Sequence, residues 1–307
     1  MTALMLEGIL LTIITAATPL LFASIGELVT ERSGVLNLGV EGMMAMGAVI
    51  GFAVAHSTGN IALGVIGAIF AGMAMAALFG IVTLIFVANQ VASGLALTLF
   101  GLGLSGLIGD AFVGVPGAGL ARVSIPGLSD LPIVGLLFRL DPLTYLAVAI
   151  TIAVSWFLFR TRGGLILRAV GDSHVSAHAL GYSVIRVRFM AVLFGGACSG
   201  LAGAYLSLVY TPQWTQAMTA GRGWIALALV VFGTWLPGRV AIGALLFGGV
   251  SILQLHAQAL GVGVPSQFLS ALPYLTTVIV LVIISRNRAL VRANTPAALG
   301  QSFVPDR

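Results

Sequence analysis

Apolar runs of about twenty residues recur along almost the whole of this chain, and that repetition decides its solvent. A helix needs roughly 20 apolar residues to cross a hydrocarbon core about 30 Å thick. Runs that reach or approach this length lie at 6–26, 36–55, 61–87, 91–113, 142–159, 188–210, 223–236, 240–260 and 268–285. Nine spans are expected, with eight to ten allowed. The second run is glycine-rich and carries Glu41, and the seventh is short, so either can be broken or re-entrant. The expected fold is all-α, a polytopic transmembrane helical bundle.

Charge is as scarce as such a fold requires. Fourteen basic and nine acidic side chains make 7% of the 307 residues charged, against about 25% in an ordinary soluble domain. That excludes a soluble enzyme, a disordered chain and a nucleic-acid-binding module. Every basic residue is arginine. Without lysine there is neither the phosphate-loop lysine of an ATPase nor a Schiff base. A single cysteine, Cys198, excludes an internal disulfide and a thiolate zinc cluster. Met1–Leu6 carry no positive charge, so no cleaved signal peptide is expected.

The arginines orient the bundle. If 160–188 and the 291–307 tail face the cytoplasm, the inner side holds Arg32, Arg160, Arg162, Arg168, Arg186, Arg188, Arg239, Arg286, Arg288, Arg292 and Arg307. Arg122, Arg139 and Arg222 fall outside. Eleven against three follows the positive-inside rule and puts the N-terminus outside and the C-terminus inside. Trp156 and Trp235 then fall near inner span ends, and Trp214 and Trp224 near outer ones, as in an aromatic belt. Residues 114–141, rich in Gly and Pro, form an external loop. Residues 160–188 are the longest cytoplasmic stretch, and residues 1–290 form a single membrane domain.

Gly64, Ala68, Gly72, Ala76 and Gly80 share one helix face, and Gly195, Gly196, Gly200 and Gly203 crowd another helix. Small residues let backbones approach in lipid. A seam within the chain is the first reading and a subunit interface the second. Gly101–Gly106 matches GxGxxG but lies inside an apolar run, so it reads as packing. His174 and His178 read as solvent-facing helix residues, since no carboxylate or cysteine cluster accompanies them.

Glu41 is the most informative charge. A carboxylate in mid-membrane costs on the order of 3 kcal/mol, so it needs partners or water. It is either a pathway residue or a structural carboxylate held by arginine or by the free N–H groups of a broken helix. Asn37, close by, can satisfy exposed backbone. Between the arginines, Asp172 or Ser173 can cap a short helix over His174–Leu180, and Gly181 can close it in the left-handed region. By shape this is either a docking element or an ordinary surface loop.

Several blocks then carry a resemblance. Glu31–Met43 (ERSGVLNLGVEGM) resembles the signature of importer permeases of the branched-chain amino acid and simple-sugar superfamily, whose energy comes from an ATP-binding-cassette (ABC) subunit. Arg168–Asp172 followed by Ala177–Gly181 looks like that family's cytoplasmic coupling segment. Arg188–Tyr205, Thr219–Gly233 and Pro265–Phe268 before Leu272–Tyr274 are similar to its nucleoside (guanosine) branch.

The resemblance implies a permease without its own ATPase or cofactor, in a bacterial inner membrane. Its implied partners are ABC ATPase subunits, a second and different permease chain, and an extracytoplasmic substrate-binding lipoprotein. It further implies that Gly171, Asp172, His174, Ala177 and Gly181 contact the ATPase. Asn37, Glu41, Trp214, Trp224 and Phe268 are the expected pathway residues. The expected cargo is a nucleoside or related sugar-containing solute, with simple sugars or branched-chain amino acids as alternatives. An ion-coupled secondary transporter and a non-catalytic scaffold are the rival classes.

Overall fold

A computed structural model describes residues 3–117, 119–124, 127, 134–259, 263–285 and 294–304. Arg286, Arg288, Arg292 and Arg307 of the inner arginine set lie outside them. Eleven α-helices are described: α1 Ala3–Arg32, α2 Val40–Thr58, α3 Ile61–Gly80, α4 Gln90–Gly109, α5 Pro142–Arg160, α6 Arg162–Asp172, α7 His174–Ala179, α8 Val184–Tyr205, α9 Arg222–Phe232, α10 Pro237–Ala259 and α11 Ser266–Ser285. No strand is present among the described residues. Seven helices are long and apolar enough to cross a membrane, while the α9 helix and the apolar stretch of α11 are shorter. The nine expected runs therefore correspond to nine helices. The two additional helices, α6 and α7, occupy the long arginine-rich stretch.

Side chains start these helices where the first N–H groups would otherwise be unpaired. Asn60 accepts from Ala62 and Leu63, Asn89 from Ala92, Asp141 from Thr144, and Thr161 from Gly164. Pro142 occupies the first turn of α5, where its missing N–H costs nothing.

Helix α8 is central, with α1, α2 and α3 packed around it. Helices α9 and α10 lie on α1, α4 on α2, and α5 on α1 and α6. The span through α8 is 78% buried and α2 is 72% buried, against 28% for α4 and α5. Inner helices are thus distinguished from those that turn a broad face outward. The glycine stripe is the reason α8 can sit so deep. A Cβ at Gly72 would collide with the Gly196 carbonyl, one at Gly200 with that of Ala68, and one at Gly203 with that of Met44. The small-residue seam therefore lies within the chain, joining α2, α3 and α8. Gly26 of α1 faces Cys198 of α8 in the same manner, and the cysteine is buried there. Gly101 packs on the backbone of Gly42, so the GxGxxG match is a packing feature.

Two belt expectations are corrected. Trp214 and Trp235 are buried inside the bundle, not placed at a lipid interface. Trp214 lies over Gly109, where any Cβ would meet its ring. Trp156 and Trp224 do keep exposed surface. The described start of the 114–141 segment folds back on the bundle: Leu120 N–H donates to Leu208 O at 2.9 Å and Gly117 N–H to Pro212 O at 3.1 Å.

Candidate functional site

The segment between α1 and α2 is the first part of the site. Arg32, at the end of α1, donates through Nε and Nη2 to the carbonyl of Trp235 at 3.1 and 2.9 Å. Trp235 in turn donates its indole N–H to Glu31 Oε2 at 2.6 Å. This knot lies just beyond the last turn of α9. Thr234 and Trp235 hold positive φ values of 49° and 53°, which non-glycine residues keep only where their surroundings enforce them.

Glu41 meets the other end of the same helix. Gly221 and Gly223 donate their N–H groups to Glu41 Oε1 and Oε2 at 2.8 and 2.6 Å. The 11 residues of α9 separate the two contacts by about 16 Å at 1.5 Å per residue, roughly half of a 30 Å hydrocarbon core. The chain thus climbs along α9 between Arg32, the last residue of α1, and Glu41, in the first turn of α2. This is the broken geometry expected of the second and seventh runs. Of the two readings of Glu41, the structure displays the carboxylate on a helix N-terminus, where the free N–H groups and the helix dipole favour an anion.

The climbing segment is fastened at nearly every residue. Leu36 N–H donates to Gln90 Oε1 at 2.8 Å and Asn37 N–H to Glu27 Oε1 at 3.2 Å. Asn37 Oδ1 accepts from Gly39 N–H at 2.9 Å, closing a local turn, and Thr98 Oγ1 donates to Leu38 O at 2.9 Å. Irregular backbone at membrane depth is tolerated only when protein satisfies it in this way. Glu27 goes unnamed in the sequence reading, and Glu31 and Arg188 enter it only within motif blocks and, for Arg188, the arginine count. The four-residue spacing of the two glutamates on one face of α1, and the burial of all three, mark them as part of the site.

The second part lies at the arginine-rich end. Ser173 is the N-cap of α7, accepting from Ser176 N–H at 3.3 Å, while Asp172 ends α6. Gly181, at φ +87°, terminates the short helix in the left-handed region, as its sequence foretold. Gly171 is buried, and a Cβ there would collide with the Arg32 carbonyl. Ala177 is buried with Val170 and Val184. Asp172 and Gly181 are exposed, and His174 is half-buried. The outward face is completed by Val175, Leu180 and Tyr182, three exposed apolar side chains not singled out from the sequence.

His178 is exposed, as expected of a solvent-facing residue, while His174 is half-buried. Both rings make edge contacts with Phe303, at 5.4 and 5.3 Å between centroids. Arg188 Nη2 lies 3.3 Å from His174 Nδ1. A guanidinium only donates, so the imidazole accepts there and is neutral. Burial and the Arg188 charge both hold the His174 pKa below its ordinary value. Arg188 is itself buried, donating to Ser33 O at 3.2 Å and Gln301 O at 2.8 Å.

The five expected pathway residues fall in different settings. Asn37, Glu41 and Trp214 are buried; Trp224, on the turn of α9 that Glu41 caps, is partly exposed; Phe268 on α11 is exposed. A cavity of about 560 Å³ opens between α1, α5, α6 and α8. Its lining is apolar apart from Arg186, including Ile150, Phe157, Ile166, Met190 and Phe194, and it offers few partners for a hydroxylated solute. Among the described residues, no cluster of three metal-ligating side chains occurs.

Comparison with known proteins gives this geometry a context. Residues 9–284 match the family described as branched-chain amino acid transport system / permease component. The chain is 41% identical to TsgC13 of Haloferax volcanii, a protein with a provisional glucose ABC transporter permease assignment, over 96% of this chain and 97% of that one. It is 32% identical to the guanosine ABC transporter permease protein NupQ of Bacillus subtilis, over 94% and 93% of the two chains. It is 30% identical to the nucleoside ABC transporter permease protein NupC of Lactococcus lactis, over 98% of each. No solved structure matches the chain.

Proposed function

The chain belongs to the branched-chain amino acid transport system permease family, and on that premise we propose that it carries a nucleoside or related sugar-containing solute across the membrane. It is a multi-pass ABC permease, and the ion-coupled rival is not favoured. The observation that carries the proposal is full-length similarity to guanosine and nucleoside permeases. The 41% identity to a glucose-assigned relative favours a second reading, a simple sugar. A ribose moiety is common to the first class and a pyranose to the second, and uptake separates them.

In our reading the arginine-rich end faces the cytoplasm and docks a separate ATPase through α7. Asp172, Val175, Leu180, Gly181 and Tyr182 form the contact, with His174 at its edge. Gly171 and Ala177 fix the helix from behind. A second permease chain and an extracytoplasmic binding protein complete the importer. Trp224 and Phe268 face the path between permease subunits, and Asn37, Glu41 and Trp214 set its wall from inside. ATP-driven closure displaces α7 and switches which side that path opens to, which requires two states that ATP and solute bias differently. This chain uses no cofactor of its own.

Two measurements test this. A Leu180→Cys chain assembled with its co-encoded ATPase should cross-link to it, and no cross-link in an intact complex would sink the docking assignment. Proteoliposomes holding the full complex should take up labelled guanosine in an ATP-dependent manner. Uptake of glucose alone would replace the nucleoside assignment with the sugar one. Uptake driven by a proton gradient without ATP would remove both.

A further inference from the structure

The residues after the last span read as a plain cytoplasmic tail, yet 294–304 touch α1, the α1–α2 segment, α6, α7 and α8. Asn294 O accepts from Arg32 Nη1 at 3.0 Å, on α1. Ala298 N–H donates to Gly171 O at 2.9 Å, at the end of α6. Gly300 N–H donates to Gly34 O at 3.1 Å, in the α1–α2 segment. Gln301 O accepts from Arg188 on α8. Phe303 sits against both histidines of α7 and joins the apolar cluster of Val170, Ala177 and Val184. Ala298 is buried, and Leu299 packs against the apolar cluster that includes Leu28, Leu167 and Trp235.

The fit is built from both sides. Gly34 has φ +90°, and a Cβ on it would press on Arg188 Nη2 and the Ala298 carbonyl. Only glycine lets the strand of tail lie there. Helix α7 has six residues, too few to hold together without tertiary support. Its inward anchors are Ala177 and the His174–Phe303–His178 contact. A helix that transmits a push must be tied to what it pushes.

We propose that 294–304 is a strap that fastens α7 to the α1–α2 segment, with Phe303 as its positioning residue. A displacement of α7 then reaches Gly34 and Arg188 directly, and through the climbing segment reaches Glu41 and the start of α9. The strap therefore converts movement at the docking surface into movement at mid-membrane depth. This rests on the reading that α7 docks the ATPase.

The test uses the complete importer in proteoliposomes, comparing the unaltered chain, Phe303→Ala and Phe303→Leu, each also carrying Leu180→Cys. Phe303→Ala should keep the cross-link to the ATPase and its basal ATP hydrolysis. Solute transported per ATP should fall roughly fivefold or more, the range of a modest coupling free energy. Phe303→Leu should recover part of that loss, and amide exchange across 172–183 should quicken in the alanine variant. Unchanged transport per ATP in Phe303→Ala would overturn the strap. So would a parallel loss of cross-link, hydrolysis and thermal midpoint, which would mark Phe303 as structural only. Absence of a cross-link in the chain carrying Leu180→Cys alone overturns the docking reading first and this proposal with it.

Discussion

The seam of α2, α3 and α8 and the arginine-rich end are held together by opposite means. In the seam, backbone lies on backbone, because Gly72, Gly200 and Gly203 leave no side chain between helices. At the arginine-rich end, side chains and a length of irregular chain reach across gaps: Arg32 to Trp235, Arg188 to Gln301, Phe303 to two histidines. Close backbone contact has one good geometry and steep losses around it. Hydrogen bonds to carbonyls can be exchanged for others at small net cost. A transporter needs both, a body that moves as a unit and a connection that can change.

The contrast can be broken first in the seam. Gly200→Val sets its Cβ against the Ala68 carbonyl, a backbone clash beyond the roughly 1–3 kcal/mol of ordinary overpacking. Little monodisperse protein should be recovered in detergent; normal yield and melting would show that the helices can part without loss. A smaller effect is expected where the regions join. Glu41→Ala removes the carboxylate that two N–H groups share and should cost about 3 kcal/mol, since bonds to charged groups are worth about 1.5–3 each. Glu41→Gln should retain part of this, and equal denaturation of all three chains would dismiss Glu41 as the cap of α9.

The smallest effect lies at the arginine-rich end and depends on pH. His174 has its pKa lowered in the folded chain by burial and by Arg188. The unfolded chain therefore binds the proton more readily, and the contribution of the neutral imidazole is present above its ordinary pKa of about 6.5 and lost as pH falls below it. His178, which shares Phe303, is the other titratable ring at this contact. Amide-exchange protection in α7, taken relative to the intrinsic exchange rate at each pH, should fall as pH is lowered from 7.5 to 5.5 (roughly one unit either side of the ordinary value), and that fall should be lost in His174→Gln. An unaltered dependence in the glutamine variant would point to another group.

What was legible in the sequence was what repeats locally. Apolar run lengths placed nine helices. The four-residue stripe Gly64–Gly80 foretold a seam, and Ser173 with Gly181 bracketed α7. What was not legible joins residues far apart. Glu31 and Trp235 are 204 positions from each other, and no period links them. Glu41 announced a need without naming its partner, because backbone N–H groups leave no trace in residue type. The strap was invisible for the same reason, since Gly34, Gly171 and Arg188 reach it largely through its own amides and carbonyls. Trp214 and Trp235 sat near span ends in order but not in depth, because run boundaries say nothing of which face turns inward.

The burial of Cys198 has a practical meaning for everything suggested above. It is the chain's one thiol, and it is sealed against Gly26 in the α1–α8 seam. A maleimide or cross-linker added to intact protein should therefore pass it by. The natural sequence is its own blank for cysteine chemistry: any label taken up by a folded variant reports the introduced position. Label appearing in the unaltered chain would instead report that α1 and α8 have come apart.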